Sequence, residues 1–409
     1  MLFMALLPVV VHFAFLGIAI IKNGYIPTGK VDLLFHIIIF IYVLVVLVTL
    51  KRRKLFIRIL YISYLLIFVI IPVEAFFRII NSNLYFPWPP NIHRSGYVAK
   101  GAMPGINGKI EFSVNKYGLR GPPIDLNNVH FKILVLGGSA SECLYIKDEL
   151  SWPWRLQDKL SDRLKRRYFV GNAGKSGYTT LDNIITLLNY KFAPQFDLVI
   201  VLCGINDMGR LLRNYYVISS ANTVYYKDSH LYLFVKNIFI KNKNDDKVYQ
   251  DINGLWYINE RKIRAKALKE NPIRQKPVGL KNALLIYKSN LRKIISVCRI
   301  RNQDLLMLTQ PTLYQNNLSK ELDALLWEHV GGSAYTTEIL EEIMLAYNQT
   351  LIEVCKEEGV PYIDIASILP KDKSVFYDDC HFNISGCEMV SEIVFEKVIK
   401  LYMGKHKAF

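Results

Sequence analysis

The chain is short of the residues that build metal and redox sites. Its 409 residues include only six cysteines and eight histidines. No two cysteines form a Cys-x-x-Cys pair, and there is no His-Glu-x-x-His. Zinc-ligand spacing and a dithiol redox motif are therefore both missing, and no metal or other cofactor is expected. Zinc-finger, RNP and basic-helix patterns are missing too, so nucleic acid is not an expected partner. No internal repeat is visible. Cys203 ends an apolar strand pattern and Cys355 lies on a helix pattern, so both read as core. Cys380 and Cys387 are the two that could pair in an oxidising space.

Acidic residues are also scarce, 35 against 51 basic ones, for a formal charge of +16. Residues 1–81 hold 8 basic against 2 acidic residues, and the rest hold 43 against 33. The larger part is thus only mildly basic for its size. Such a surface suits anionic headgroups or acidic glycans, or is simply well solvated.

Apolar residues are plentiful, at 51%, but unevenly placed. Three apolar stretches, about 2–21, 33–50 and 55–77, open the chain. Each matches the roughly 17–25 residues a helix needs to cross a bilayer. The first lacks the basic start and small-residue cleavage site of a signal peptide, so an uncleaved span is expected. Lys51-Arg52-Arg53-Lys54 lies between the second and third spans. Positive residues prefer the cytoplasmic side, which puts the N-terminus inside and the chain beyond residue 80 outside. The expectation is a multi-pass transmembrane region over 1–80, in contact with the lipid bilayer, carrying an extracytoplasmic domain.

Residues 81–130 are rich in Pro, Gly and Asn and read as an irregular connector with short strands. From 131 to 409 strand and helix patterns alternate. Short apolar runs at 132–136, 167–170, 197–202, 304–308 and 361–364 read as strands buried on both faces. Helical spacing runs between them, which predicts an α/β fold with a parallel sheet. A Tyr/Ser/Asn-rich and charged stretch at about 210–300 breaks the rhythm and reads as an insertion, either a cleft-forming element or a surface excursion.

Open parallel sheets carry their sites at the carboxyl ends of the strands. The first strand is followed by Gly137-Gly138-Ser139-Ala140-Ser141. A serine in a strand-to-helix turn can be a nucleophile, and the same turn can cradle phosphate. After the second strand, Gly171 to Thr179 is a glycine-rich loop that can aim backbone N–H groups, or an ordinary connection. After the third, Gly204-Ile205-Asn206-Asp207 offers an amide as an oxyanion donor or a helix cap. Late in the chain, Tyr377-Asp378-Asp379-Cys380-His381 places a carboxylate three residues before a histidine, where it can fix the ring tautomer.

Together these four segments resemble the blocks of the SGNH/GDSL hydrolases. The resemblance spans about residues 131–402, apart from the insertion. It implies a flavodoxin-like three-layer fold and an esterase active site. Ser139 is then the nucleophile, with Asp378 and His381 completing the catalytic triad. The oxyanion hole is formed by the N–H groups of Ser139 and Gly177 and the amide of Asn206. The family's Gly-Asp-Ser is Gly-Gly-Ser here, a change outside the triad. Asn115 to Gly121 resembles a segment preceding the first strand in membrane-tethered members, where Arg120 either lines the site or braces the sheet edge. Asp379 as the histidine's partner and Ser141 as nucleophile stay open.

The expected activity is hydrolysis of an ester, an O-acyl group on a cell-envelope glycan or lipid. One alternative is an O-acyltransferase using the same serine on a surface polysaccharide, which three spans would need an envelope-assembly partner to support. Another is a catalytically silent glycan-binding or assembly module.

Overall fold

The computed structural model describes residues 85–213 and 254–403, apart from 100 and 107, together with eight positions between 54 and 76. From residue 85 onward these belong to one compact unit, Tyr85–Asn214 with Asn244–Phe409. The three expected spans lie outside the described residues, save for isolated positions in the third. Among the described residues, no helix is long and apolar enough to cross a membrane.

The connector contains an antiparallel pair, β1 (His93–Tyr97) with β2 (Lys109–Ser113). Trp88 and Phe112 pack edge to face beside it, with ring centroids 5.0 Å apart. The central sheet then begins with β3 (Phe131–Gly137), followed by α1 (Ser139–Glu142) and α2 (Trp152–Leu164). Next come β4 (Tyr168–Asn172), α3 (Thr180–Asn189), β5 (Leu198–Leu202) and α4 (Ile205–Leu212). After residue 253 follow α5 (Leu255–Glu270), β6 (Pro272–Ile273), α6 (Leu280–Ile300) and β7 (Asp304–Leu308). The chain closes with α7 (Lys320–Asp323), β8 (Ala334–Tyr335), α8 (Thr337–Glu358), β9 (Tyr362–Ile363), α9 (Ile365–Ile368) and α10 (Ile384–Val398).

The five main strands are all parallel, in the order β4-β3-β5-β7-β9. Counted along the chain this is 2-1-3-4-5, the flavodoxin-like order. The unbroken apolar strands are its reason: Ile133 to Leu136 and Leu198 to Leu202 are all buried. Only a sheet covered on both faces can bury such runs. Parallel crossovers are right-handed, and the step from β3 to β4 runs opposite to the step from β4 to β5. Helices α2 and α3 therefore fall on opposite faces. The packing agrees, with α2 against α10, and α6 against both α3 and α8.

The insertion expected at 210–300 is narrower. Helix α6 occupies its last 21 residues and is the crossover that feeds β7. Its apolar side, Ala283, Tyr287, Leu291, Ile294 and Ile295, is buried, while its charged side hid that pattern in the sequence. The segment proper to the insertion keeps α5 and the short β6, which pairs with β8. Residues 214–253 lie outside the described ones.

Candidate active site

The carboxyl end of β3 makes a sharp turn into α1. Gly137 has φ +158°, and a Cβ there would strike Ser141 Oγ and the Leu202 carbonyl. A Cβ on Gly138 would strike the amide nitrogen of Asn206. Both glycines are thus imposed by close approach. Ser139 opens α1 and is partly exposed. The Asn206 amide lies against the turn and donates to the Tyr178 carbonyl at 3.0 Å. A primary amide carries a second N–H besides the one donated to Tyr178. Asn206 does not cap its helix, because Gly204 holds the cap position at φ +133°. Asp207 instead accepts from the Thr180 N–H at 3.1 Å and the Thr180 hydroxyl at 2.6 Å, at the start of α3. Burial pushes the Asp207 carboxyl up to about 6, against the pull of those bonds.

Gly177 lies on the exposed loop after β4 with φ +79°. A Cβ there would meet nothing within 4 Å, so the backbone conformation, not crowding, asks for glycine. The loop is held from several sides. Lys175 N–H donates to the Gly137 carbonyl at 3.2 Å, and the Trp88 indole to the Gly174 carbonyl at 3.0 Å. Ser176 donates its N–H to the buried Glu142 carboxylate at 2.6 Å, and its hydroxyl to the same oxygen. Burial raises the Glu142 carboxyl above its ordinary range, with the Ser176 bonds opposing.

The fourth segment is a tight turn closed by Tyr377 N–H on the His381 carbonyl at 3.1 Å. His381 Nε2 is 2.6 Å from Ser139 Oγ. Its Nδ1 lies 2.6 Å and 2.8 Å from the two oxygens of Asp378. Asp378 also accepts the N–H groups of Cys380 at 3.0 Å and His381 at 2.9 Å. The ring of Tyr377 stacks on His381 at 5.5 Å and 9°, and Tyr257 meets it edge-on at 6.1 Å. Burial works against a charged imidazole, but the Asp378 carboxylate and its hydrogen bond outweigh that and hold His381 well above 6.5.

Asp379 faces away from the ring. It accepts from the Tyr314 hydroxyl at 2.8 Å and the Trp327 N–H at 2.7 Å. Burial and the neighbouring Asp378 charge push it up to about 6. Of the two aspartates left open by the sequence, only Asp378 touches the histidine. Ser141 is fully buried, and its hydroxyl has no hydrogen-bond partner among the described residues. Arg120 is buried as well. It pairs with Asp148 at 3.0 Å and donates to the carbonyls of Glu142, Cys143 and Ile146. That is bracing of the segment after the serine turn, not lining of the site.

Asp378, Cys380 and His381 are also the group of described side chains whose donor atoms lie close enough to share a metal ion, within 4.8 Å. Asp378 already occupies His381 Nδ1, and burial pushes the Cys380 thiol up to about 11, which disfavours the thiolate a metal needs. All six cysteines are free and buried. The suggested Cys380–Cys387 pairing is not present. Cys387 instead lies beside Cys143, sulfur to sulfur 3.9 Å, because the left-handed turn ending α1 delivers Cys143 onto α10.

Sequence reasoning missed three residues around this centre: Tyr257, Trp327 and Glu142. Glu142 follows Ser139 by one helical turn, a spacing that could have drawn attention to it. Tyr257 and Trp327 carry no such signal, since they arrive from segments far away in the chain.

A serine, a histidine and an aspartate thus lie in hydrogen-bonded series at the strand ends of a 2-1-3-4-5 parallel sheet, an arrangement that serine-dependent acyl transfer would require. Residues 135–389 match the model of the GDSL-like Lipase/Acylhydrolase family, and the chain belongs to that family. It is an ester-cleaving enzyme. No curated protein matches the sequence. Similar solved structures include LAE5, an alpha/beta hydrolase enzyme from the metagenome of Lake Arreo, Spain. It is 13% identical, with 66% of this chain and 94% of that one covered and a TM-score of 0.39. A lipase/acylhydrolase from Enterococcus faecalis is 14% identical, with 66% and 95% covered and a TM-score of 0.37. Axe2, an acetylxylan esterase from Geobacillus stearothermophilus, is 13% identical, with 66% and 95% covered and a TM-score of 0.38. With scores this low, membership rests on the family match.

Proposed function

We propose that the protein is a serine esterase that removes an O-acyl group from a cell-envelope glycan or lipid through Ser139, His381 and Asp378. The observation that carries the reading is the unbroken series Ser139 Oγ to His381 Nε2 at 2.6 Å and His381 Nδ1 to Asp378 at 2.6 Å. Neutral His381 takes the Ser139 proton as the hydroxyl attacks the acyl carbonyl. The N–H groups of Ser139 and Gly177 and the free N–H of Asn206 receive the oxyanion. His381 then returns the proton to the departing alcohol, and water releases the acid by the same steps reversed. Asp378 holds the ring with Nε2 toward the serine and stabilises its charged form. What supports an envelope substrate is the three apolar stretches before residue 80, long enough for bilayer spans, with loop charges that would put this domain outside.

Purified protein given p-nitrophenyl esters of increasing acyl length tests the activity, with Ser139→Ala beside it. Turnover that the variant lacks, and serine labelling by a fluorophosphonate, are the expected results. If no ester turns over and no label attaches, the reading fails. Transfer of the acyl group to an added sugar in place of water would make the enzyme a transferase. Full complementation in cells by Ser139→Ala would leave only a silent binding module. Protease digestion of intact cells tests location: a protected catalytic domain would overturn the outward orientation.

A further inference from the structure

Asp378 is fully buried, and its two oxygens are served unequally. One oxygen accepts the backbone N–H groups of Cys380 and His381 as well as the ring. The other accepts the ring and one further donor, the indole N–H of Trp327 at 3.2 Å. Trp327 lies 51 residues away in sequence and comes from the segment after α7. A buried carboxylate oxygen with one donor removed has no water to replace it, so this contact bears on how the acid sits and how strongly it draws the histidine proton.

The placement of Trp327 is itself built. Its backbone N–H is held by Asp379 at 2.7 Å. Its ring packs against Trp256 at 5.0 Å and Tyr257 at 6.0 Å, both on the first turn of α5. From the same helix Arg261 donates to the carbonyl of Leu325 at 3.0 Å and that of Tyr377 at 2.8 Å. One guanidinium therefore ties the chain just before Trp327 to the chain just before Asp378. Two adjacent aspartates divide the work: Asp378 holds the histidine, and Asp379 holds the residue that holds Asp378.

We propose that Trp327 is a positioning residue for Asp378, set in place by Asp379 and by α5 through Arg261 and Trp256. This rests on the triad reading above. The decisive comparison is wild type against Trp327→Phe, which keeps a ring and loses the donor. Kinetics are followed on a p-nitrophenyl ester from about pH 5 to about pH 9, across the histidine titration. A fall in kcat of about tenfold is expected, the size of one hydrogen bond to a charged group, with KM unchanged. The acidic limb of kcat/KM should move to higher pH, because a carboxylate with one donor fewer attracts the His381 proton more strongly. In an Asp378→Asn background the same substitution should have little further effect, since the indole acts through that carboxylate.

An unmoved limb, or the same loss in the Asp378→Asn background, would overturn the proposal. Should Trp327→Phe fail to fold, site-specific replacement of the indole by benzothiophene removes the N–H at nearly constant shape. The Nδ1 proton resonance of His381 needs no substrate and should shift in either variant; no shift also overturns the proposal. A shifted resonance in a protein without Ser139-dependent turnover would sink the esterase reading and leave this one standing.

Discussion

Ser139 and His381 meet in one hydrogen bond, yet they are held by two different kinds of structure. The serine side is built from strand ends. Gly137 and Gly138 are imposed by the chain's close passage past Leu202 and Asn206, so the turn follows from the sheet itself. The histidine side is built from loops. Asp378 and His381 sit on a turn whose partners, Tyr314, Trp327 and Tyr257, come from three other segments. A site half can thus be fixed by local backbone geometry or by long-range side-chain contacts. The first should fail all at once when a strand-end residue is changed; the second should loosen in steps.

The largest effect belongs to the serine itself. Ser139→Ala should lower ester turnover at least about a thousandfold, as loss of a triad nucleophile does. Progress curves against the uncatalysed rate measure it. A loss under tenfold would mean that chemistry does not pass through the strand-end turn, and the comparison above would lose its first term. Next comes the brace under that turn. Arg120→Met takes from the buried Asp148 its charged partner, leaving it the Ser113 N–H, and takes the guanidinium donor from the carbonyls of Cys143 and Ile146, of which Cys143 keeps the Ile146 N–H. Breaking a buried pair from one side costs about 3–5 kcal/mol, which urea unfolding would register as a lower midpoint. If the midpoint holds, the serine side is stiffer than its contacts suggest.

Asn206→Ala tests the strand-end half by another route. Its amide nitrogen lies against Gly138 and spends one N–H on the Tyr178 carbonyl, which leaves the other for the proposed oxyanion role. Removing one such donor lowers kcat roughly a hundred- to a thousandfold with little change in KM. A pure KM effect would instead make Asn206 a substrate-binding residue.

The histidine side has a signature in pH. His381 is held well above 6.5 by the neighbouring Asp378, against the effect of burial. A protonated ring cannot accept the Ser139 proton, so kcat/KM should rise with pH through that raised value, with its half-point above 6.5. Stability runs the other way. A histidine with a raised folded-state pKa stabilises most below its unfolded value, and that contribution fades as pH rises through the raised value. Asp378→Asn should move the half-point of kcat/KM to lower pH and remove the stability contribution. A half-point below 6.5 would show that burial, not the carboxylate, governs the ring.

How much of this could be read from the chain alone follows the same division. The sheet was legible because its strands are unbroken apolar runs, and Ser139, Gly177 and Asn206 stood out because each directly follows one of them. The Asp-x-x-His spacing was legible as a local pair, but which aspartate was not, since that depends on where the turn sends each carboxylate. Trp327 was illegible: its partner is 51 residues away, and no periodicity links them. Helix α6 was hidden because its charged residues masked a buried face. Cys143 was overlooked beside Cys387 for a related reason. Its position depends on a left-handed residue at the end of a helix only four residues long.

The smallest expected effect discriminates most finely within the serine turn. Ser141 lies two residues after Ser139, and sequence alone left either as nucleophile. Its hydroxyl is buried against Gly137 and has no hydrogen-bond partner among the described residues. Its backbone carbonyl, in contrast, accepts from the Asn172 side chain at 2.6 Å. What Ser141 contributes is therefore backbone and small volume. Ser141→Ala removes an unpaired buried oxygen and keeps every bond that holds the turn. Turnover should stay within about a factor of two, and the unfolding midpoint should stay level or rise slightly, since a buried polar atom without a partner is a cost. A large loss of rate would mean that the hydroxyl takes part in the chemistry, and the strand-end half of the site would then contain a second functional oxygen that its geometry conceals.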